Sequence, residues 1–289
     1  MSGADPRAYN PGMGEGTLYL VGTPIGNMED ITIRALRILR EADLIAAEDT
    51  RRARKLLARH DIRTPVTSYH GHNEREKAEW VAGEVAAGKK VAVISDAGMP
   101  GISDPGFRVV EECARRGLKV EVVPGPSSLT SALALSGFPL ARFHFLGFLP
   151  RKRSERRTFL SSLLRDGDAL VFYEAPHRML ETMGDLAELA PERQVVVARE
   201  LTKINEEVLR GKAPEVLATL EDGGRRGEFV IVVAPGREGE APPLPQLAGE
   251  VAELVAGGMA PREAVRAVAS RHGVSQRGVY AAWLEGKDG

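Results

Sequence analysis

Cysteine is nearly absent from this chain. Cys113 is the one thiol among 289 residues, so an internal disulfide and a Cys-rich metal site are both excluded. A lone thiol fits a reducing compartment, and a cytoplasmic protein is expected. Long apolar runs are absent too. No stretch approaches about 18 consecutive apolar residues, so no membrane span is expected. The N-terminus has no basic start followed by an apolar run, so no secretory signal is expected. Net charge is also missing: 39 Lys and Arg stand against 40 Asp and Glu, leaving −1. A globally basic protein of the histone type is excluded. An acidic disordered chain is excluded as well, because 43% hydrophobic and 27% charged residues is ordinary globular composition. No His, Cys, Asp and Glu set has metal-ligand spacing; His70 and His72 stand alone and read as surface, so no metal is expected.

What is present is a regular alternation. The length suits about two domains. Residues 1–16 hold four Gly and two Pro and read as a disordered tail. Strands are expected over 17–21, 44–47, 66–69, 91–94 and 119–123. Helices are expected over 31–42 with Asp30 as N-cap, 49–60 capped by Asp49, 73–87, a stretch from Pro105 to 116, and 127–136. This predicts an N-terminal α/β domain over 17–136, its parallel sheet covered on both faces. The pattern restarts over 137–235 as a second α/β domain. Its strands are 143–146, 169–173, 195–197 and 229–233, and its helices lie near 154–165, 176–189 and 213–221. Ile204 to Arg210 alternates and can add a strand that makes this sheet mixed. Residues 236–245 read as a Pro-rich linker. Residues 246–289 read as a small helical domain, helix-turn-helix-like, broken at Gly273 with Ser275 as a cap.

Ligands of open α/β sheets bind at the carboxyl ends of the strands, so the loops there carry the chemistry. Gly22-Thr23-Pro24-Ile25-Gly26-Asn27 follows the first strand without GxGxxG spacing, and a tight turn explains it equally well. Ser95 to Gly106 is stronger: three Gly, two Pro and two Asp lie between a buried strand and a helix. Glycines let backbone approach a ligand, and Asp96 can accept from ligand hydroxyls or an amine. The loop has no Lys and no GK[ST], so it is a poor phosphate cradle. Ser127 and Ser128 at a helix start can cap that helix or bind a ligand. Tyr173-Glu174-Ala175-Pro176-His177-Arg178 places basic residues in a first helical turn, where they face an anion or simply solvent. Arg199-Glu200-Leu201-Thr202-Lys203 and Glu48-Asp49-Thr50-Arg51 also follow strands.

The charge is uneven locally. Residues 49–59 carry five basic residues against one acidic, and residues 151–157 do the same. Such runs are commonly solvated helix faces. Two of them beside candidate site loops favour a phosphate-bearing substrate. The C-terminal helical piece is balanced, so its shape alone gives no argument for nucleic-acid affinity.

Read together, five segments resemble the tetrapyrrole methylase superfamily. They are Thr23 to Asn27, Ala47 to Arg51, Ser95 to Gly106, Phe172 to Arg178 and Arg199 to Lys203. Within the superfamily they look like the branch that acts on small-subunit ribosomal RNA. The resemblance runs from Gly16 to about Val233. Met99 stands where Thr is frequent, and Asn205 where His is frequent. The resemblance implies two α/β domains with a cofactor cleft between them, plus a small C-terminal helical domain. It implies S-adenosylmethionine as cofactor, and methylation of the ribose 2′-hydroxyl of a cytidine in the decoding region of 16S rRNA. The partner is then 16S rRNA or the small ribosomal subunit, and the superfamily implies a homodimer. The cofactor pattern maps onto Thr23, Pro24, Ile25, Ser95, Asp96, Ala97, Gly98, Ile102, Ser127, Ser128, Tyr173 and Glu174.

Methyl transfer from a sulfonium needs alignment of oxygen, methyl and sulfur, and a hydroxyl nucleophile needs its proton removed or its oxyanion stabilised. Candidates for this are Glu174, His177, Glu200, Lys203, Glu48 and Asp49, with Glu200 and Lys203 favoured for flanking a strand end near the cleft. RNA phosphates are assigned to Arg51, Arg52, Lys55, Lys152, Arg153 and Arg178. Two other readings stay open: a methylase of a porphyrin or corrin precursor on the same fold, and a nucleotide-sensing DNA-binding regulator.

Overall fold

A computed structural model describes residues 16–286 except 72, 166, 224–226, 237–243 and 273. The expected N-terminal tail, most of the linker, His72 and the break at Gly273 fall outside the described residues. The chain divides into two compact units. One comprises residues 1–138, 145–149 and 171–233, the other residues 139–144, 150–170 and 234–289.

The first unit carries a parallel sheet of β1 (Thr17–Val21), β2 (Leu44–Ala47), β3 (Val66–Ser68), β4 (Lys90–Ile94) and β5 (Lys119–Val123), in the order β3-β2-β4-β1-β5. Strand β1 lies between β4 and β5, with Leu18 opposite Val91 and Val120. The two-residue period of a strand sends neighbours to opposite faces. Tyr19, Val21, Ala92 and Ile94 pack with α1 (Ile33–Glu41) and α2 (Thr50–Arg59) through Ala35, Ile38, Leu39, Ala53, Leu56 and Leu57. Leu18, Val91 and Val93 pack with α3 (Glu74–Ala86) and α4 (Phe107–Arg115) through Val81, Val85, Val109 and Cys113. Burial within this second cluster pushes the Cys113 thiol up to about 11. The near-continuous apolar runs of β1, β2 and β4 are what two covered faces require.

Two helix starts differ from expectation. Asp30 ends a short 3-10 turn over Met28–Asp30, and Thr32 is the N-cap of α1, its hydroxyl accepting from the Ala35 N–H at 3.0 Å. A Thr hydroxyl two residues closer to the apolar stripe serves the free N–H groups that the Asp was expected to serve. Pro105 is not the first residue of α4. Its carbonyl accepts from the Gly101 N–H at 3.2 Å, closing the 95–106 loop on itself, and Gly106 is the N-cap.

The second sheet has the order β6-β7-β10-β8-β9, from β6 (Phe143–Phe148), β7 (Ala169–Glu174), β8 (Gln194–Arg199), β9 (Glu207–Lys212) and β10 (Phe229–Val233). Strand β8 pairs antiparallel with both β9 and β10, so the alternating 204–210 segment does yield an added strand. Helices α5 (Ser128–Ser136), α6 (Arg153–Arg165), α7 (Met179–Leu189) and α8 (Ala213–Asp222) complete this half of the chain. In the other unit, α9 (Leu244–Ala256), α10 (Pro261–Arg271) and α11 (Gln276–Glu285) bury Leu247, Val251, Val265, Val268, Val279 and Trp283 against one another. No helix among the described residues is long and apolar enough to cross a membrane.

Candidate active site

The loops after β1 and β5 meet where both lack a side chain. A Cβ on Gly22 would lie 2.7 Å from the Gly125 Cα, and one on Gly125 would lie 2.9 Å from the Gly22 Cα. The loop after β4 is tied to the same point: the Thr23 N–H donates to the Gly98 carbonyl at 2.9 Å and the Gly98 N–H returns to the Thr23 carbonyl at 3.1 Å. Gly98 holds φ of +85°, which glycine adopts without strain. Burying the backbone ends this way leaves a concave surface at the carboxyl edge of the sheet.

That surface opens into a cavity of about 400 Å³ lined by the first unit alone. The first sheet contributes Ile25, Glu48, Asp96, Gly98, Asp104 and Ser127; the second contributes Phe148, Tyr173, Glu174, Leu201 and Glu228. Ser127 is the N-cap residue of α5, yet its side chain makes no capping bond, and it faces the cavity instead. Ser128 donates to the Tyr173 hydroxyl at 3.4 Å, joining the loops of the two sheets. A smaller cavity of about 210 Å³ adjoins the first, lined among others by Pro24, Asp49, Lys55, Ser95 and Lys203. Ile25, Arg52, Asp96, Ala97 and Glu228 line both.

Carboxylates dominate the larger cavity. Asp96 Oδ1 accepts from the Asp49 N–H at 3.0 Å, the Asp96 N–H donates to Glu48 Oε2 at 3.3 Å, and Arg52 pairs with Asp96 at 3.2 Å. Burial pushes the Glu48 carboxyl up. Asp104 is pushed up to about 7, first by burial and then by the charges of Glu48 and Asp96. Sequence reading quoted the Asp104 loop without singling out this residue; its second Asp, separated from Asp96 by seven residues that carry no charge, was the available signal.

The family described as Tetrapyrrole (Corrin/Porphyrin) Methylases matches residues 17–217. The chain belongs to that family. This tetrapyrrole methylase is 50% identical, over 77% of its own length and all of the relative's, to "Ribosomal RNA small subunit methyltransferase I" of Thermotoga maritima. It is 40% identical to the protein of the same name from Halalkalibacterium halodurans, over 95% and 96% of the two chains. In Bacillus subtilis the figures are 38%, 96% and 97%. Solved structures share the fold. A cobalt precorrin-4 methyltransferase superposes with a TM-score of 0.58 at 20% identity, covering 78% of this chain and 98% of that one. Diphthine synthase gives 0.59 at 16% identity, covering 75% and 90%.

The cofactor of this methylase family is S-adenosylmethionine. The larger cavity fits it. A pocket of this volume takes a ligand of that size. Ile25, Met99, Ile102 and Phe148 offer apolar walls. The carboxylates of Glu48, Asp96 and Glu228 on its wall suit a sulfonium and an amine. Of the residues assigned to the cofactor from sequence, Ile25, Asp96, Ala97, Gly98, Ile102, Ser127, Ser128, Tyr173 and Glu174 line this cavity. Thr23, Pro24 and Ser95 line the smaller one.

The residues assigned to catalysis and RNA scatter more. Lys203 lines the smaller cavity, its Nζ 2.8 Å from Glu200 and 3.2 Å from Glu228. Glu200 lines neither cavity. Its carboxyl is held down by the Lys203 bond, and it also accepts from the Glu228 N–H at 2.9 Å. Glu174 is buried, its two oxygens accepting from the Ala175 N–H at 2.8 Å and the Thr182 hydroxyl at 2.6 Å. His177 is exposed and lines neither cavity. Asp49 caps α2 and is held low by the Arg51 guanidinium, 2.8 Å away. Arg178 turns inward, donating to the Leu149 carbonyl at 3.0 Å with 13% of its side chain exposed. Lys152 and Arg153 lie in the other unit, Lys152 paired with Glu155 at 3.0 Å.

Proposed function

We propose that this chain transfers the methyl group of S-adenosylmethionine to the ribose 2′-hydroxyl of a cytidine in the decoding region of 16S rRNA, acting in the cytoplasm as a homodimer. The names of relatives at 38–50% identity support small-subunit ribosomal RNA as the target. One observation carries the reading: the acidic cavity and a smaller one bearing Arg52, Lys55 and Lys203 meet at Arg52, Asp96 and Glu228. The first suits a cationic methyl donor, the second a phosphate-bearing nucleotide, and their junction is where methyl and hydroxyl would meet.

When bound, the cofactor supplies an electrophilic methyl. The chain supplies alignment and charge. Lys203 is the cation facing the incoming oxygen. Its ammonium is pulled down by burial and raised more strongly by Glu200 and Glu228, so it stays charged through the neutral range. Glu200 stays ionised and acts through Lys203 as a positioning residue. Arg51, Arg52 and Lys55, on the first turns of α2, take backbone phosphates.

The test is incubation of the protein with labelled S-adenosylmethionine and small ribosomal subunits from a strain lacking the activity. Label recovered in 2′-O-methylcytidine supports the reading. Label only in a porphyrin precursor replaces it with macrocycle methylation. Absence of any transfer leaves the nucleotide-sensing regulator.

A further inference from the structure

We propose that Ile204 packs against the face of a nucleobase of the substrate RNA, beside the nucleotide being methylated. The inference rests on the methyl-transfer reading and names what the loop after β8 touches.

Ile204 is 99% exposed, more than any other large apolar side chain among the described residues. A single apolar residue on a pliant surface loop is ordinary. The loop that carries Ile204 is instead held from several sides. Its Glu200 and Thr202 have φ of +50° and +65°. Residues other than glycine keep such angles only where their surroundings impose them, and they gather at ligand clamps. The Lys203 N–H donates to the Glu200 carbonyl and the Glu206 N–H to the Lys203 carbonyl, both at 3.0 Å. The Thr202 N–H donates to Glu206 Oε2 at 2.6 Å, closing the base of the loop. From outside, the Glu228 N–H donates to Glu200 Oε1 and the Asn27 N–H to Thr202 Oγ1, both at 2.9 Å. A firm support thus presents an apolar side chain to water, and that exposure is relieved only when something covers it.

The position selects the cover. Lys203, the preceding residue, lines the smaller cavity together with Arg52 and Lys55. The bond between Asn27 and Thr202 ties the loop to the one bearing Met28, which lines the same cavity. RNA whose nucleotide enters this cavity passes beside Ile204. Charge then favours a base over the backbone. Glu206 and Glu207 are exposed, Glu228 is 68% exposed, and the Lys203 ammonium is shared between Glu200 and Glu228. A phosphate is repelled by such neighbours. The flat face of a base is not, and apolar side chains, isoleucine among them, serve as wedges against bases. A second copy of the chain would need a broad apolar face, about 800 Å² on each partner, whereas Ile204 is flanked by Lys203, Asn205 and Glu206.

The test uses the full-length protein and small ribosomal subunits, comparing the wild type with Ile204→Ala, Ile204→Met and Ile204→benzoylphenylalanine. Ile204→Ala should raise the subunit concentration for half-maximal single-turnover transfer by about 10–100-fold, the loss expected for one buried apolar side chain or one stacked base. The slope of log K against log salt should not change, because no phosphate contact is lost. S-adenosylmethionine affinity and the urea midpoint should also stay at the wild-type values, since water already covers this side chain in the free protein. Ile204→Met should recover most of the affinity. Irradiation of Ile204→benzoylphenylalanine on the subunit should cross-link the protein to ribosomal RNA. A cross-link between two copies of the chain, or a changed oligomeric state of Ile204→Ala in the ultracentrifuge, would make Ile204 a contact between protomers and overturn the proposal. So would a reduced salt slope in Ile204→Ala. A wild type that labels ribosomal RNA beside an Ile204→Ala with unchanged half-saturation rejects this inference alone. A wild type that labels no ribosomal RNA rejects the methyl-transfer reading itself, and the inference with it.

Discussion

Lys203 Nζ lies 2.8 Å from Glu200 Oε1, and this bond divides the work between the two residues. Lys203 reaches a cavity; Glu200 does not. Lys203→Met is therefore expected to lower the transfer rate by about 10²–10³-fold, the usual loss when one donor to a developing oxyanion is removed. Glu200→Gln should cost less, because Glu228 still holds the ammonium at 3.2 Å. The pH sign follows from the Glu200 carboxyl, held below its ordinary value by Lys203. Its stabilising contribution is complete above the unfolded value of about 4.3 and is lost only as pH falls through the folded value. No neutral-range limb should come from this pair. Single-turnover rates for the two variants decide it: a larger loss from Glu200→Gln would place Glu200 itself against the substrate.

Gly26 is the point where the loop after β1 touches the loop after β8. A Cβ there would lie 2.5 Å from Lys203 Cγ and 2.9 Å from the Leu201 carbonyl, and the next N–H, of Asn27, donates to Thr202 Oγ1 at 2.9 Å. Lys203 can move but the Leu201 backbone cannot move freely, so Gly26→Ala should displace Lys203. The expected cost is about 1–3 kcal/mol of stability, as for other overpacked sites, together with a slower transfer at unchanged cofactor affinity. Gly83→Ala is the control. It lies inside α3 with nothing within 4 Å of the added carbon, and should be neutral or stabilising by about 0.5–1 kcal/mol. Urea melts and cofactor titrations of both variants check this; wild-type rates in Gly26→Ala would show that the loop contact does not set the Lys203 position.

These two contacts also mark where sequence stops being informative. The strands over 17–21, 44–47 and 91–94 were legible because a sheet covered on both faces demands unbroken apolar runs, and the cap at Asp49 because its side chain serves its own helix. Local signals misled where a competing local partner won, as Thr32 did over Asp30. The cavity-lining loops were legible as Gly-rich breaks. What each carboxylate does there was not. The fates of Glu200, Arg178 and Asp104 depend on partners at separations no periodicity encodes: Glu228 against Glu200, the Leu149 carbonyl against Arg178, Glu48 against Asp104.

Lys55 and Arg178 were both assigned to RNA phosphates, and the structure makes opposite predictions for them. Lys55 lines the smaller cavity from α2. Lys55→Gln should weaken RNA binding and reduce the slope of log K against log salt by about 0.7–0.9, the value of one phosphate contact. Arg178 bonds the Leu149 carbonyl and sits 3.4 Å from the buried Glu174 carboxylate. Arg178→Gln should leave the salt slope unchanged and lower stability by about 1.5–3 kcal/mol, as expected when a charged group with a buried partner is lost. Filter binding over a salt series, paired with urea melts, separates the two. An unchanged slope for Lys55→Gln would return the α2 charges to a solvated face.

The C-terminal helices offer a separate reading of stability, because the chain has two Trp and they report on different places. Trp283 is buried among Leu247, Val251, Val268 and Val279, whereas Trp80 is exposed on α3. In a Trp80→Phe background, emission therefore follows α9 to α11 alone. Leu247 is fully buried in this cluster, so Leu247→Ala should cost about 2–5 kcal/mol there through lost transfer energy and the cavity left behind. A three-helix core of this size has little stability to spare. The Trp283 transition should therefore move to lower urea, while cofactor affinity, set by residues of the other unit, should stay at the wild-type value. A parallel fall in cofactor affinity at urea concentrations that leave the sheets folded would show that the helical unit supports the cavity, and would overturn this assignment of Leu247 to a local core.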